Sequence, residues 1–219
     1  MGRNGKIMKI VERAKSNYNR DIELIEQSSE KYEMNILFIG IVHGDEQSGE
    51  YLINRFIKSS DETKFKNRLL YIPCLNPDGK HAGQRTNGLG IDLNRNFPSE
   101  NWEFTEDEEY FGGPKGGSEP ETQFVIDVVL KYRPDLIVTL HEPYEIVNYD
   151  GPAKIFALKI SELTGYIVQE DIGYPTPGSL GTYFGVERNI PVITLELPED
   201  EDPEVLWQTN KKMFEYFAY

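Results

Sequence analysis

No disulfide can form within this chain, because Cys74 is the only cysteine among its 219 residues. A disulfide-stapled extracellular scaffold is thereby excluded, and a reducing compartment is expected. Basic side chains are also in deficit, 23 Lys and Arg against 37 Asp and Glu, for a net charge of −14. Binding along a nucleic-acid backbone needs clustered cations to displace phosphate counterions, so DNA and RNA are not expected partners. No segment approaches the roughly 18–20 consecutive apolar residues of a membrane helix. The start MGRNGKIMKIVERAKS is basic but lacks the apolar stretch of a secretory signal, so the cytoplasm is the expected location. Histidine is scarce too, with only His43, His81 and His141, which gives each position weight.

What is present is a globular composition, 38% hydrophobic and 12% aromatic. With no internal repeat and no linker, one domain over residues 1–219 is expected. Dense apolar runs at 34–42, 68–75, 135–141 and 190–197 read as strands, and their near-continuous apolarity fits a sheet covered on both faces. Helical patterns occupy 48–60, 118–133, 151–165 and 201–218. In the second of these, Ser118 followed by Glu121 reads as a capping box, with Pro120 tolerated in the first turn. The alternation predicts an α/β fold, a single mixed and largely parallel sheet with helices on both faces. DIELIEQ, 21–27, adds an edge strand. Between 76 and 118 the pattern breaks into a long Gly, Asn and Pro-rich loop, of the length that is usually functional, and Trp102, Phe104, Tyr110 and Phe111 predict that it packs.

Chemistry-bearing residues gather at the predicted strand ends. His43 and Glu46 follow the first strand in GIVHGDEQSGEY, His141 ends VTLH, and Glu196 lies in ITLEL. In open α/β sheets the carboxyl ends of strands form the ligand crevice, so these groups converge there. Two histidines and one glutamate with an open fourth position form the pattern of a catalytic zinc site. The competing readings are an acidic surface turn at 43–46, a backbone-bonded histidine at 141 and an outward-facing glutamate at 196. A general base tuned by partial desolvation is the alternative for Glu196. His81 has no carboxylate near it and reads as a solvated loop histidine. Arg85 and Arg95, with Asn94, lie in QRTNGLGIDLNRNFP, where a planar guanidinium suits recognition of a carboxylate; pairing with surface acids is the bland alternative. The acidic run EFTEDEEY, 103–110, reads as a solvated face without chemistry.

Taken together, HGDE, NPDG, an arginine before NR, SEPET, a strand ending LH and a final LELP resemble the carboxypeptidase A-type zinc metallopeptidase family over roughly residues 34–200. Within it, LNPDGKHAGQRTNGLGIDLNRNFPSENW and GYPTPGSLGTYFG look most like the murein peptide amidases of bacterial cell-wall recycling, which cleave the γ-D-glutamyl to meso-diaminopimelate bond of a muropeptide. The resemblance implies one zinc ion held by His43, Glu46 and His141, with Glu196 as the base that deprotonates the attacking water. It implies that Arg85 polarises the scissile carbonyl and that Asn94 and Arg95 hold the free carboxylate of a small peptide substrate. Tyr174 is similar in position to a mobile tyrosine of the animal enzymes. Glu142 departs from the aspartate that the resemblance leads one to expect. Three alternatives stay open: a carboxypeptidase on α-peptides, a deacylase of the aspartoacylase and succinylglutamate desuccinylase type, and a binding module without catalysis. His₂Glu sites accept several divalent ions, and oligomeric state is not fixed by these patterns.

Overall fold

The computed structural model of the chain describes residues 9–219. Residues 1–8, on which part of the expectation about an export signal rests, lie outside the described residues. One eight-stranded sheet runs β1 (Lys9–Lys15), β2 (Asp21–Gln27), β4 (Arg68–Ile72), β3 (Asn35–Ile39), β5 (Leu136–His141), β8 (Val192–Glu196), β6 (Ile146–Asp150), β7 (Ile167–Gln169). The four central strands, β4, β3, β5 and β8, are mutually parallel, and antiparallel pairings flank them. The mixed, centrally parallel sheet agrees with the sequence reading.

Alternating side chains of the central strands feed two cores, which is why these runs are apolar on both faces. Ile36, Phe38, Val138 and Leu195 pack beneath α1 (Ser48–Ser59), α4 (Lys154–Thr164) and α5 (Pro203–Ala218). Leu37, Ile39, Ile137 and Val192 face α3 (Pro120–Tyr132) and a π-helix at Gly181–Val186. Among the described residues no helix is long and apolar enough to cross a membrane.

Several local expectations are corrected. DIELIEQ is a strand but not an edge, because β1 pairs along its outer side. Strands β6 and β7 and the π-helix carried too short a pattern to be read. The 76–118 segment contains α2 (Pro77–Ala82) and a 3₁₀ turn at Leu93–Arg95, so His81 lies on a short helix, where it is exposed. Within that segment Phe104 stays 59% exposed and stacks edge-on with Phe111, so the packing is only partial.

No capping box forms at α3. The helix starts at Pro120 with Glu119 as its N-cap, and Ser118 donates its hydroxyl to Glu119 rather than capping. Glu121 is instead fully buried, and neither carboxylate oxygen has a hydrogen-bond partner. Burial, with the Glu119 and Asp78 carboxylates nearby, pushes its pKa up to about 7. An acid whose folded pKa lies above its unfolded value stabilises fully below the unfolded pKa, here 4.5, and loses that contribution as pH rises toward the folded one, here about 7. The difference amounts to up to about 3 kcal/mol. Glu121→Gln is therefore expected to raise the melting temperature at pH 8 by roughly 5–10 °C and to leave it nearly unchanged at pH 4. Equal melting shifts at the two pH values would contradict this account.

Candidate metal centre

The parallel strands β3, β5 and β8 present their carboxyl ends on one edge, and β3 is where the chain order reverses, with β4 on one side and β5 on the other. Such a switch point opens a crevice between strand ends. Leaving β3, the chain passes Ile41, whose φ of +43° is in the left-handed region that β-branched residues rarely enter, and turns through His43–Glu46. The Glu46 amide donates to the His43 carbonyl at 3.2 Å, which brings the two side chains to one side. Gly44 is required here: a Cβ at this position would stand 2.1 Å from the Gly79 carbonyl carbon. Its amide donates to the Arg85 carbonyl, and Asn76, the N-cap of α2, donates to the carbonyls of both Val42 and Arg85. The NPDG motif thus clamps the 43–46 turn to the arginine-bearing segment.

His141, the last residue of β5, pairs in register with Glu196 of β8. His43 Nδ1 lies 2.7 Å from Glu46 Oε1, His141 Nδ1 lies 2.9 Å from Glu46 Oε2, and the two Nδ1 atoms are 3.3 Å apart. All three residues offer ligand atoms within 4.8 Å of one another. Two imidazole lone pairs and a carboxylate aimed at one point form a donor set for a divalent cation, and three ligands of this kind suit zinc. The second nitrogen of His43 is fixed by a group the sequence reading did not single out: Nε2–H donates to Asp92 Oδ1 at 3.1 Å. That bond leaves Nδ1 unprotonated for the metal. Asp92 is fully buried and also accepts from Arg85 Nη2 at 3.0 Å, from Arg85 Nε and from the Asn94 amide. Despite burial, which opposes ionisation, His43 and Arg85 hold the Asp92 carboxyl well below the usual range. Burial likewise opposes a charge on His43, but Glu46 and Asp92 outweigh it and push its pKa up to about 9. The cluster is electrostatically set to hold positive charge.

Glu196 is 8% exposed and its Oε2 has no partner. Burial first, then the Glu46 carboxylate, push its pKa up to about 8. Arg85 Nη1 comes within 3.3 Å of His43 Nδ1. Arg95 is buried and donates to the Asn94 carbonyl, while Asn94 Oδ1 accepts from the Leu180 amide at 3.0 Å, leaving its Nδ2 amide for the cavity. Tyr174 is 43% exposed at the rim, its hydroxyl pushed up to about 12 by desolvation and by Tyr144 beside it. All eight residues singled out from the sequence, His43, Glu46, Arg85, Asn94, Arg95, His141, Tyr174 and Glu196, line one cavity of about 260 Å³. Glu142, where an aspartate was expected, accepts from the Ser48 amide at 2.8 Å, so it ties the end of β5 to the first turn of α1. The acidic run 103–110 is largely solvated, but its last two residues, Glu109 and Tyr110, line the cavity, and the Tyr110 ring lies 5.5 Å from the Arg85 guanidinium and 5.4 Å from that of Arg95.

A family model described as zinc carboxypeptidase matches residues 1–157. The chain belongs to the zinc carboxypeptidase family. Murein peptide amidase A of Escherichia coli K12 is 31% identical over 181 residues, covering 74% of this chain and 70% of that protein. The human carboxypeptidase N catalytic chain is 29% identical over 154 residues, 55% of this chain and 33% of that one. Among solved structures, a murein-tripeptide amidase from Escherichia coli O157 superposes with a TM-score of 0.82 at 23% identity, over 100% of this chain and 97% of the other. Carboxypeptidase A of Helicoverpa armigera gives 0.78 at 19% identity, over 96% and 66%. The protein is accordingly a hydrolase of the zinc carboxypeptidase family with zinc as cofactor, and His43, Glu46 and His141 form its potential metal-binding site.

Proposed function

We propose that this zinc carboxypeptidase-family hydrolase releases the terminal residue of a small peptide, and that the peptide is the muropeptide L-Ala-γ-D-Glu-meso-diaminopimelate, processed in the cytoplasm by a single-domain enzyme. The observation that carries the reading is one cavity lined by the His₂Glu set, by an unpartnered buried carboxylate, Glu196, and by two guanidiniums, Arg85 and Arg95. Similarity to murein peptide amidase A over most of both chains supports the choice of substrate.

When bound, zinc supplies a Lewis acid that polarises the scissile carbonyl and lowers the pKa of a water. Glu196 accepts the proton of the attacking water and returns it to the departing amine. Arg85, anchored by Asp92, donates to the oxygen on which negative charge develops, a contribution of about 3 kcal/mol for one such donor. Arg95 and the Asn94 amide receive the free terminal carboxylate. An internal residue would present a neutral amide there and leave the guanidinium unpaired, so terminal residues are selected.

The test is incubation of zinc-loaded protein with the muropeptide and, in parallel, with α-linked peptides, following the released residue by mass spectrometry. Free diaminopimelate is expected. Release from α-linked peptides alone would replace the murein reading by an ordinary carboxypeptidase, the second reading, to which the similarity with carboxypeptidase N points.

A further inference from the structure

The two edges of the sheet are defended differently. At one edge β1 carries Lys9, Glu12, Arg13 and Lys15 within seven residues, and its register with β2 shifts between Ile10 and Glu12. Charged side chains and bulges are the devices that keep an open edge from pairing with another chain. At the other edge β7 has neither. It consists of Ile167, Val168 and Gln169, and Ile167 is 72% exposed.

Helix α4 continues this undefended rim. β6, α4 and β7 form a strand–helix–strand unit with parallel strands, and α4 lies over both strands and beside α5. Ala157 and Ile160 face the core beneath the helix, where Val168 also packs, and the Phe156 ring lies 6.4 Å from that of Phe217 of α5. With the inner side and the α5 side so occupied, the helical period turns Lys154, Leu158 and Ser161 outward over the free edge of β7, with Ile155 and Glu162 beside them. Leu158 is 55% exposed and Ile155 73%. Apolar side chains next to an open strand edge are what a strand-addition interface presents.

The surface is complementary to itself. A two-fold axis standing on the sheet at this edge would set β7 antiparallel to its own copy. Strands lie about 4.8 Å apart, so α4, above β6 and β7, stands about 5 Å from the seam, and the two α4 helices would run antiparallel about 10 Å apart, within helix-packing distance. Centred on Leu158, they bring Lys154, four positions before it, opposite Glu162, four positions after it, and do so twice. Leu158 meets its own copy, and Ile155 meets Ser161. Glu162 pairs with Lys159 of its own helix at 2.9 Å, yet its side chain stays 67% exposed and open to a second cation. An unrelated partner would make no demand for opposite charges equally spaced about one leucine. Three residues of strand are too few to hold two chains together, and the helix pair above the seam supplies the rest.

We propose that the free edge of β7 and the outer side of α4 form a homodimer interface, through which the sheets of two copies join into one. None of Lys154, Leu158, Glu162 and Ile167 lines the metal-site cavity, so each copy keeps its own site.

The experiment is sedimentation equilibrium of the zinc-loaded full chain from micromolar to submillimolar concentration, with hydrogen exchange read at the β7 amides. The mass is expected to rise from one chain toward two, and exchange at β7 to slow as it does. Lys154→Glu and Glu162→Lys should each weaken association roughly tenfold, because every altered contact occurs twice. The double variant, with the charges exchanged, should recover wild-type association. Leu158→Glu sets like charges on the axis and should leave single chains throughout the range, and Ile167→Lys should act in the same direction. All four positions are exposed, so melting temperatures of dilute protein should not fall, which separates lost association from lost folding. A wild type that stays a single chain at every concentration overturns the proposal. So does a dimer indifferent to Leu158→Glu and Ile167→Lys, which would assemble through another surface, and so does a double variant no better than the single ones.

Discussion

Glu196→Gln is expected to lower kcat on the preferred peptide by about 10³- to 10⁴-fold, the upper part of the range for a general base, and to leave zinc at one equivalent. The upper part applies because in the proposed mechanism one carboxylate serves twice, accepting a proton from water and delivering it to the amine. Glutamine keeps the shape and can do neither. Zinc content should hold because His43, Glu46 and His141 converge without Glu196. Folding should hold as well, since burial already pushes the Glu196 pKa up to about 8 and Oε2 has no partner to lose. Replacing that carboxyl by an amide removes a group whose ionisation burial opposes. KM should change little, because the proposed mechanism gives the terminal carboxylate to Arg95 and Asn94 rather than to Glu196. Retention of kcat within tenfold at full zinc occupancy would remove Glu196 from the role of base. The measurement pairs single-turnover release of the terminal residue with metal analysis of the same sample.

The edge at which the candidate metal centre forms was legible in the sequence because of the way a parallel sheet works. Its central strands are apolar throughout, so a histidine or glutamate at the end of such a run stands out, as His141 and Glu196 do. His43 and Glu46 stand out for the same reason after β3. Residues whose function depends on non-local pairing were not legible. Asp92 sits between Ile91 and Leu93 in what reads as a loop, and only the fold brings it to His43, 49 positions away. An acid flanked by two buried aliphatics was the available signal. Ser118 and Glu121 fit a capping box by spacing, but tertiary packing draws Glu121 into the interior, and Glu119 takes the N-cap position without a side-chain cap bond.

Asp92→Asn is the complementary case, in which chemistry is lost through the metal rather than at the base. Asn is isosteric, so the fully buried position can still be filled, yet one of its two terminal atoms no longer accepts. If the amide oxygen stays toward His43 and the Asn94 amide, the NH₂ group faces the Arg85 guanidinium, which then loses its anchor. If the amide turns over, NH₂ faces His43 Nε2 and favours the tautomer protonated on Nδ1, the nitrogen needed for zinc. Both arrangements damage the site, by different routes. Losing such an outer partner costs roughly 10- to 100-fold in metal affinity, and a displaced Arg85 removes a further donor worth about 10²-fold in kcat. Competition with a zinc-binding dye should therefore show weaker binding, and activity at saturating zinc should remain depressed. Recovery of full activity on adding zinc would assign Asp92 to His43 alone; unchanged zinc affinity with depressed kcat would assign it to Arg85 alone. Unchanged affinity together with unchanged kcat would show that His43 and Arg85 hold their places without it. Because Glu196→Gln keeps zinc and loses turnover while Asp92→Asn loses both, the pair separates the proton-transfer role from the metal-holding role within one cavity.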